Sequence, residues 1–401
     1  MPMTNFPNGF ANGLSVRGMP LLQMQPGNVY WVDNSGLNGV GDTKTVAGSD
    51  KNPGTFQRPF ASLYFAISRC QQGRGDIIFV KPGHIETVTG LSTVTKTTNG
   101  DSAVLNFNCA GVAIVGLGAG LLQPKLDFTT ANTAMIPLRG SGMSIQNFQF
   151  NANFLSIASI FTAPACSAAT STIAGTVLTA GTITGALYPG MALMGTGVTP
   201  GTIVTEQLTG TATATGTYRV SISQTVTSTT ITAGVHNFNV ENCEFRDMST
   251  VLSFLAVVSG SATANSMDGL SLVNNKVFSL GTTAAASSAV KLTAAADRVY
   301  LADNLVVSDA ASTGPGLLTS NAALTNVEVM RNSVFKPTTA GTPLLMVASA
   351  GTGMVAYNNC WTVGGSAGLV ITASTGYGMV QNFGTITGAA NTSAIINPVY
   401  A

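Results

Sequence analysis

Charged side chains are scarce in this sequence. Only 8% of its 401 residues are Asp, Glu, Lys or Arg, whereas an ordinary globular protein has about a quarter. The formal net charge is +1 and no basic block occurs, so we expect no binding to nucleic acid. With 45% hydrophobic residues, the chain is also too apolar for a disordered protein.

Long apolar runs are missing as well. The longest, near residues 252–258, is far shorter than the roughly 20 residues of a membrane helix, so we expect no membrane contact. The start, MPMTNFPNGF, has neither a basic segment nor an apolar core. We therefore expect no secretion signal and synthesis in the cytoplasm.

Histidine and cysteine are few and scattered. His84 and His236 are the two histidines, and 236 − 84 = 152 positions separate them. No metal-ligand spacing and no Ser/His/Asp order involves either one, so we expect structural roles, no bound metal and no cofactor. The cysteines are odd in number and widely spaced, which is typical of small buried hydrophobic residues. They are Cys70, Cys109, Cys166, Cys243 and Cys360.

Glycine, threonine, serine, alanine and valine replace the missing charge, a composition that suits close-stacked β-structure and disfavours helical bundles. Asparagine recurs ahead of short strand-like runs, in IQNFQF, VENCEF, VNNKVF, ADNLVV, MRNSVF, YNNCWT and VQNFGT. The recurring residues are Asn147, Asn242, Asn275, Asn304, Asn332, Asn359 and Asn382. From Asn242 onward they are 33, 29, 28, 27 and 23 positions apart, which is in the period range of solenoids.

A β-solenoid explains this recurrence, because asparagines in equivalent turns of stacked coils can pass amide hydrogen bonds up a column. Three positions after the asparagine come Phe150, Phe245, Phe278, Val307 and Phe335. We predict that the phenylalanines stack inside the coils. Apolar positions such as Val277, Val306 and Val334 are then predicted to point outward, where packing against further copies would bury them.

One gap breaks the period, since 242 − 147 = 95. Residues 166–234 differ in composition from the rest of the chain. They have short Thr/Val/Ile runs between glycines and only two charged residues, Glu206 and Arg219. Removing these 69 residues leaves 95 − 69 = 26, one ordinary coil. We therefore predict an inserted small β-domain at 166–234, between an arm at 1–30 with coils at 31–165 and further coils at 235–401.

A short helix is predicted ahead of the coils, in RPFASLYFAISRCQQGRGDIIFVKPGH. Its apolar residues follow the i, i+3, i+4, i+7 spacing of one buried stripe: Leu63, Ala66, Ile67 and Cys70. Ser62 can cap its start, and Gly73 and Gly75 can end it. The apolar run at 77–80 then predicts a strand covered on both sides, followed by a Pro-Gly turn.

This stretch resembles the N-terminal cap of right-handed parallel β-helices of the pectate-lyase-like class. The matching residues are Asp76, Ile78, Val80, Pro82, Gly83 and Glu86. The resemblance implies an all-β fold, a right-handed parallel β-helix, over about residues 29–400 without the insert. It is specific for the fold and not for chemistry.

Two further segments resemble bacteriophage proteins. TNFPNGFANGLSVRGMP is similar to the leader of small virion proteins of tailed phages, and the insert is similar to a small module of phage structural proteins. The arm carries apolar residues between turn formers and has no core of its own, so it either orders on a partner or is a frayed terminus. The residues predicted to attach it to a virion are Phe6, Phe10, Leu21 and Leu22.

Candidate chemistry is sparse. Glu244, Arg246 and Asp247 share one strand, with Asp268 or Asp303 expected above them; the alternative for Glu244 and Arg246 is a solvated ion pair. The tripeptide Arg74-Gly75-Asp76 matches a cell-adhesion motif, but it also fits the cap pattern. We predict no catalytic residues.

The sequence thus favours a non-enzymatic phage virion protein, a homotrimeric spike that decorates the head and contacts the major capsid protein or another virion protein. The alternative is a tailspike or receptor-binding protein that recognises or cleaves host polysaccharide; even a head spike allows weak glycan contact. A secreted polysaccharide lyase is disfavoured.

Overall fold

Three parallel β-sheets run along the chain, and successive coils add neighbouring strands to them. The computed structural model describes residues 15–16, 19–20, 27–35, 46–88, 91–96, 101–103, 105–128, 136–152, 159–164, 166–247, 256–261, 263–280, 288–308, 316–320, 322–336, 344–347, 351–362, 369–372, 377–384 and 395–396. The predicted parallel β-helix is confirmed by these sheets.

Face A is the sheet with eleven strands. They are Val29–Val32, Ile77–Val80, Ala113–Gly116, Ser144–Gln146, Asn239–Glu241, Ser271–Val273, Tyr300–Ala302, Val327–Met330, Gly353–Ala356, Tyr377–Val380 and Ile395–Ile396. Residues in register from Asn239 to Gly378 are 32, 29, 28, 26 and 24 positions apart. The coils therefore shorten toward the C-terminus.

Face B has nine strands and face C has seven. Face B contains Ile85–Val88, Lys125–Phe128, Gln149–Ala152, Glu244–Asp247, Lys276–Leu280, Leu305–Ser308, Ser333–Lys336, Asn359–Thr362 and Phe383–Gly384. Face C contains Ile136–Pro137, Phe161–Thr162, Val258–Ser259, Val290–Leu292, Leu318–Ser320, Leu344–Val347 and Leu369–Thr372. The apolar side chains that point inward from the three faces form one continuous core.

Smaller elements lie outside the three faces. Ser15–Val16 pairs with Met19–Pro20 and Leu91–Lys96 with Asp101–Ala103, both antiparallel, whereas Ala296–Asp297 pairs with Leu324–Thr325 in parallel. A 3₁₀ turn covers Gly120–Leu122. The one α-helix of the described residues is Leu63–Ser68, and no helix in the described ranges is long and apolar enough to cross a membrane.

The helix forms as predicted and covers the start of the core. The Ser62 hydroxyl accepts from Phe65 N at 3.2 Å and caps the helix. Leu63, Ala66 and Ile67 are buried in the core. The strand Ile77–Val80 also forms, but it is covered on one side only, because its first and third residues stay partly exposed.

The corner after face A is built, from Asn147 onward, on residues in the left-handed conformation. Among the described residues, those at this corner have φ between 41° and 59°. They are Asn147, Asn242, Asn274, Asp303, Arg331, Tyr357 and Gln381. Asparagine and aspartate tolerate this conformation better than other non-glycine residues, which explains why Asn147 and Asn242 stand there.

A buried asparagine column follows directly after this corner, in the C-terminal coils. The Nδ2 atoms of Asn275, Asn304 and Asn332 each donate to the Oδ1 of the asparagine in the next coil, at 2.9–3.0 Å. The column ends with Asn358 donating to Asn382 at 3.0 Å. Each Nδ2 also donates to a face A carbonyl, such as Leu272 O for Asn304 at 2.9 Å.

The predicted column is therefore displaced at three positions. The prediction that Asn359 belongs to the column is wrong. Asn359 is exposed on face B, and Asn358 takes its place in the column. Asn147 and Asn242 are the left-handed corner residues one position earlier, and Asn242 Nδ2 donates to Asn147 Oδ1 at 3.3 Å in a separate, more exposed contact.

In the later coils, the predicted inward and outward residues of face B are also exchanged, because the prediction was off by one residue. Phe150 and Phe245 do stack inside the coils, with ring centroids 4.7 Å apart. In the later coils, however, Val277, Val306 and Val334 are the buried residues, at 1%, 0% and 1% exposure. They are not the outward positions that were predicted, because shifting a strand by one residue exchanges its two faces.

The insert forms a five-stranded antiparallel sheet with its own core. Its strands are Cys166–Ala180, Thr182–Gly185, Ala192–Met194, Val204–Thr209 and Gly216–Gly234. Cys166 pairs in register with Ala233, so the two ends of the insert are adjacent. This geometry fits insertion between two neighbouring coils.

The insert also docks on the coils through Ser141. The Ser141 hydroxyl accepts from Ala192 N at 3.1 Å and from His236 N at 3.0 Å, and Ser141 N donates to Gly190 O at 2.8 Å. The Arg139 guanidinium lies 3.6 Å from the ring centroid of Tyr188. Gly190 is required there, since a Cβ would lie 2.8 Å from Arg139 O.

We predict that the asparagine column stabilises the C-terminal coils. Asn304→Ala removes four hydrogen bonds made by one side chain, and both it and Asn332→Ala should lower the free energy of unfolding by about 1–3 kcal/mol. Asn359→Ala is the matched control, because its exposed side chain lies outside the column. Urea unfolding measures all three variants. Equal stability of Asn304→Ala, Asn332→Ala and the parent would contradict a stabilising column.

We also predict that the β-helix folds without the insert. Replacing residues 166–234 by a short Gly/Ser linker should leave a soluble protein of unchanged oligomeric state, because the two ends are adjacent and the insert has a separate core. Circular dichroism and sedimentation measure this outcome, and Ser141→Ala in the full chain controls for the lost docking bonds. Aggregation of the deletion variant but not of Ser141→Ala would contradict the inserted-domain interpretation.

Candidate functional site

The outer surface of face B is the candidate site, because it carries the predicted carboxylate and the exposed apolar residues of the later coils. Outward side chains form two columns along the stack. The first column is Lys125, Gln149, Glu244, Lys276, Leu305, Ser333 and Asn359. The second is Asp127, Asn151 and Arg246, followed by Phe278, Val307 and Phe335.

The N-terminal half of this surface is polar and internally bonded. Asn151 Nδ2 donates to Asp127 Oδ1 at 2.6 Å, and Gln149 Nε2 donates to Asn151 Oδ1 at 2.9 Å. Arg246 forms an ion pair with Glu244 on the same strand. Each of these carboxylates is thus held by a neighbouring amide or guanidinium.

The C-terminal half is mixed: its first column holds Leu305 among Lys276, Ser333 and Asn359, whereas its second column is apolar and holds Phe278, Val307 and Phe335. Leu305 and Phe335 are 36% and 43% exposed, and Phe278 and Val307 are partly exposed. These four residues belong to three successive strands in register. Together they form an apolar patch on the outside of the β-helix, which we call the face B patch.

The predicted carboxylate constellation does not assemble. Glu244 and Arg246 share a face and pair as predicted, but Lys276 and Leu305 lie above Glu244. Asp303 lies at the exposed corner and receives two hydrogen bonds from Arg331, at 2.7 and 2.8 Å. These bonds hold the pKa of Asp303 below its usual range. The side chain of Asp247 lies outside the described residues.

Asp268 lies at the other corner, ahead of face A. Its Oδ1 accepts from Asp297 N at 2.9 Å, and its Oδ2 is 4.0 Å from His236 Nε2. Burial raises the pKa of Asp268. His236 Nε2 lies 3.0 Å from Asn265 O, so both groups connect neighbouring turns at the exit of the insert.

His84 is fully buried beneath the cap helix. Asn34 N donates to its Nδ1 at 3.1 Å, which leaves Nε2 to donate to Glu86 Oε2 at 3.3 Å. The same Glu86 oxygen accepts from Leu63 N at 2.7 Å. His84 and Glu86 therefore join the first strand of face B to the start of the helix.

The Arg-Gly-Asp tripeptide is part of the same cap. Asp76 is fully buried, and its carboxylate accepts from Asn28 N at 2.7 Å, Gln71 N at 2.9 Å and the Arg74 guanidinium at 2.6 and 2.8 Å. Burial by itself would raise the pKa of Asp76, but these bonds outweigh it and lower the pKa. The aspartate is held inside the fold and is not presented for adhesion.

All five cysteines are free, and four are buried. Burial raises the pKa of Cys109, Cys166, Cys243 and Cys360 to about 12 each, so these thiols stay protonated at neutral pH. Among the described residues, no three His, Cys, Asp or Glu side chains are grouped to hold a metal ion.

The predicted attachment residues Phe6, Phe10, Leu21 and Leu22 lie outside the described residues. The sequence reasoning also missed the face B patch. Lys276 could have indicated the outward positions of face B. A lysine between Asn275 and Val277 has to point to solvent, and its two neighbours on the strand then point into the core.

Comparisons with known proteins find two solved structures of similar fold. No protein-family model and no curated protein matches the chain. A solved structure of pectate lyase Pel9A is 12% identical with a TM-score of 0.43, over 90% of this chain and 77% of that one. A rhamnogalacturonan lyase is 11% identical with a TM-score of 0.37, over 90% and 83%. Neither likeness assigns a site or an activity to this chain.

We predict that Asp76 stabilises the cap in a pH-dependent way. Its folded pKa lies below the ordinary value, so its contribution is present at neutral pH and is lost as the pH falls through about 4 and below. Asp76→Asn should lower the melting temperature at pH 7 and flatten its decline on acidification. Glu206→Gln is the control, since Glu206 forms an ion pair with Arg219 in which each side chain is 57% exposed. An unchanged acid profile of Asp76→Asn would contradict this role.

Proposed function

We propose that this protein is a structural component of a tailed-bacteriophage virion, a homotrimeric spike that decorates the head. The observation that carries the proposal is the face B patch. Leu305 and Phe335 expose apolar side chains on adjacent coils, where Phe335 is in register with Val307, and contiguous apolar patches on soluble proteins mark interaction surfaces. A rigid β-helix that packs on copies of itself suits a virion spike.

The polar residues of face B support a packing role over a catalytic one. Glu244 is bound by Arg246, and Asp127 is bound by Asn151. Hydrolysis of a glycosidic bond needs two carboxylates that face one sugar linkage about 5–10 Å apart. A carboxylate that is already held by a side chain of its own protein is a structural group in this proposal, and we propose no enzymatic activity and no cofactor.

The N-terminal arm is the proposed attachment segment. Of residues 1–26, the structure describes the short pairing of Ser15–Val16 with Met19–Pro20. The sequence of the arm is too short in apolar residues to form a hydrophobic core around Phe6, Phe10 and Leu21. A surface of the major capsid protein or of another virion protein would bury them, and the protein would be made in the host cytoplasm and reside in the virion.

A tailspike or receptor-binding protein is the second candidate. It is favoured by the polar half of face B, where Asp127 and Arg246 place a carboxylate and a guanidinium next to the buried amides of Gln149 and Asn151. Such groups can hydrogen-bond the hydroxyls of a host polysaccharide. This candidate places the protein on the tail and gives face B a ligand.

The test is removal of the arm. Protein lacking residues 1–26 should form the same oligomer but no longer sediment with undecorated heads, because each buried Phe or Leu contributes roughly 1.5–3 kcal/mol and several copies add avidity. The full chain with Phe6→Ala and Phe10→Ala is the matched variant and should bind more weakly. Undiminished head binding without the arm would contradict arm attachment.

Host polysaccharide separates the two candidates in the same preparation. For a decoration protein, the glycan should keep its original length, with no new reducing ends and no unsaturated products, and it should not bind the protein tightly. A glycanase that digests the same polysaccharide is the positive control. Released oligosaccharides, or glycan binding that Arg246→Ala abolishes, would favour the tailspike, since the Arg246 side chain is 46% exposed.

A further inference from the structure

We propose that the corner between faces A and B at the N-terminal end of the β-helix is a second contact with the virion, and that it binds an acidic protein surface with an apolar pocket. This inference rests on the proposed head attachment and adds a surface of the coils to the arm. The contact surface, which we call the N-terminal corner, consists of Phe56, Pro82, Ile85, Leu121 and Leu122.

Three large apolar side chains are exposed together at this corner. Leu121 is 88% exposed, more than any other large apolar side chain of the described residues. Leu122 is 44% exposed and Ile85 is 46% exposed. Gly83 N donates to Leu122 O at 2.7 Å, so the turn before Ile85 lies against Leu122. A contiguous group of exposed apolar side chains is typical of a surface that contacts another protein.

The turn that carries Leu121 is fixed by hydrogen bonds and by glycine. Gly120–Leu122 forms a 3₁₀ turn, and Asn147 Nδ2 in the next coil donates to Gly118 O at 2.8 Å. Gly118 has a φ of 96°, and a Cβ there would lie 2.7 Å from Leu122 O. A turn that holds one conformation before binding loses little conformational entropy in the complex.

The apolar surface continues from this turn to the cap. Pro82 is exposed and lies against Gly118, where an added Cβ would be 3.0 Å from Pro82 Cβ. Phe56 is 39% exposed, its ring centroid is 4.8 Å from that of Trp31, and Lys81 Nζ lies 4.3 Å from the Phe56 centroid. The N-terminal corner therefore extends to the end of the β-helix at which the arm enters the first strand of face A.

Positive charges flank the N-terminal corner. Arg58 is exposed two positions after Phe56, and Lys125 lies next to Ile85 in register on face B. Neither cation forms an ion pair within the part of the chain that the structure describes. Both are therefore available to carboxylates of a partner.

Three carboxylates beside the corner are held within the chain. Asp33 Oδ2 is 3.8 Å from Lys81 Nζ, and both side chains are buried. Glu86 accepts a hydrogen bond from the start of the cap helix at 2.7 Å, and Asp127 accepts from Asn151 Nδ2 at 2.6 Å. With cations outside and these carboxylates engaged, the surface attracts a partner whose rim carries Asp and Glu.

The charges also argue for a partner other than a second copy. Two copies that met corner to corner would bring Arg58 and Lys125 of each close to those of the other, and like charges at an interface are unfavourable. The arm enters at the same end of the β-helix, so a virion protein that binds the arm lies within reach of the N-terminal corner. This continuity identifies the occupant as the virion surface proposed to receive the arm.

The apolar contact is tested with Leu121→Asp in the full chain, arm included. The variant should bind undecorated heads about 100-fold more weakly, because a carboxylate would be buried without a partner in the apolar pocket. Leu121→Ala should weaken binding about 10-fold. Leu208→Asp is the control on the insert, where Leu208 is 38% exposed, and should bind like the parent. Co-sedimentation measures binding, and circular dichroism verifies folding.

The acidic character of the partner is tested with Arg58→Glu and Lys125→Glu. Each variant should bind heads about 10-fold more weakly at low ionic strength, and the difference from the parent should shrink in high salt because charges are screened. Lys291→Glu is the matched control, since Lys291 is a partly exposed lysine on face C. Head binding that neither variant weakens would overturn the acidic partner.

The outcomes separate this inference from the proposed head attachment. Loss of head binding by Leu121→Asp in an unchanged oligomer supports the N-terminal corner. Undiminished binding by Leu121→Asp overturns it, and leaves the proposed attachment standing if removal of residues 1–26 still abolishes binding. An oligomer that Leu121→Asp dissociates overturns the virion partner in favour of a contact between copies. A parent chain that does not bind heads overturns both proposals.

Discussion

A buried column of asparagine side chains is the interaction on which the register of the C-terminal coils depends. Asn304 Oδ1 accepts from both the backbone N and the Nδ2 of Asn275, at 3.0 Å each, while its own Nδ2 makes two further bonds. A buried amide with four satisfied hydrogen bonds tolerates little displacement, because each lost partner leaves an uncompensated polar group. The C-terminal coils from Asn275 to Asn382 are thereby held level with one another.

The column also decides which side chains of face B point inward. Each asparagine of the column is buried at the end of the corner, so the next residue faces solvent and the one after it enters the core. Val306 is therefore buried while Leu305 and Val307 are on the outside. The apolar surface proposed for self-association is thus a consequence of the corner geometry as well as of composition.

The first coils achieve the same architecture with different chemistry. Phe148 and Cys243 occupy the position that asparagine holds later, and Cys243 N donates to Asn275 Oδ1 at 2.9 Å as the column begins. Phe150 stacks on Phe245 inside. A cap helix joined to the coils by Glu86, and an insert docked through Ser141, add to these coils without interrupting the sheets.

The sequence by itself determined the elements whose signals are local or periodic. The helix with its Ser62 cap, the strand after Gly75 and the solenoid period were predicted correctly, because capping, apolar spacing and a repeat can be read without distant contacts. Only the tertiary structure decided the register. Asn358 and Asn359 are adjacent and chemically identical, so their roles depend on which of them meets Asn332 and Asn382 in the neighbouring coils. The same choice buried Val277 and exposed Phe335, since a shift of one residue exchanges the faces of a strand and no local pattern records which coil lies alongside.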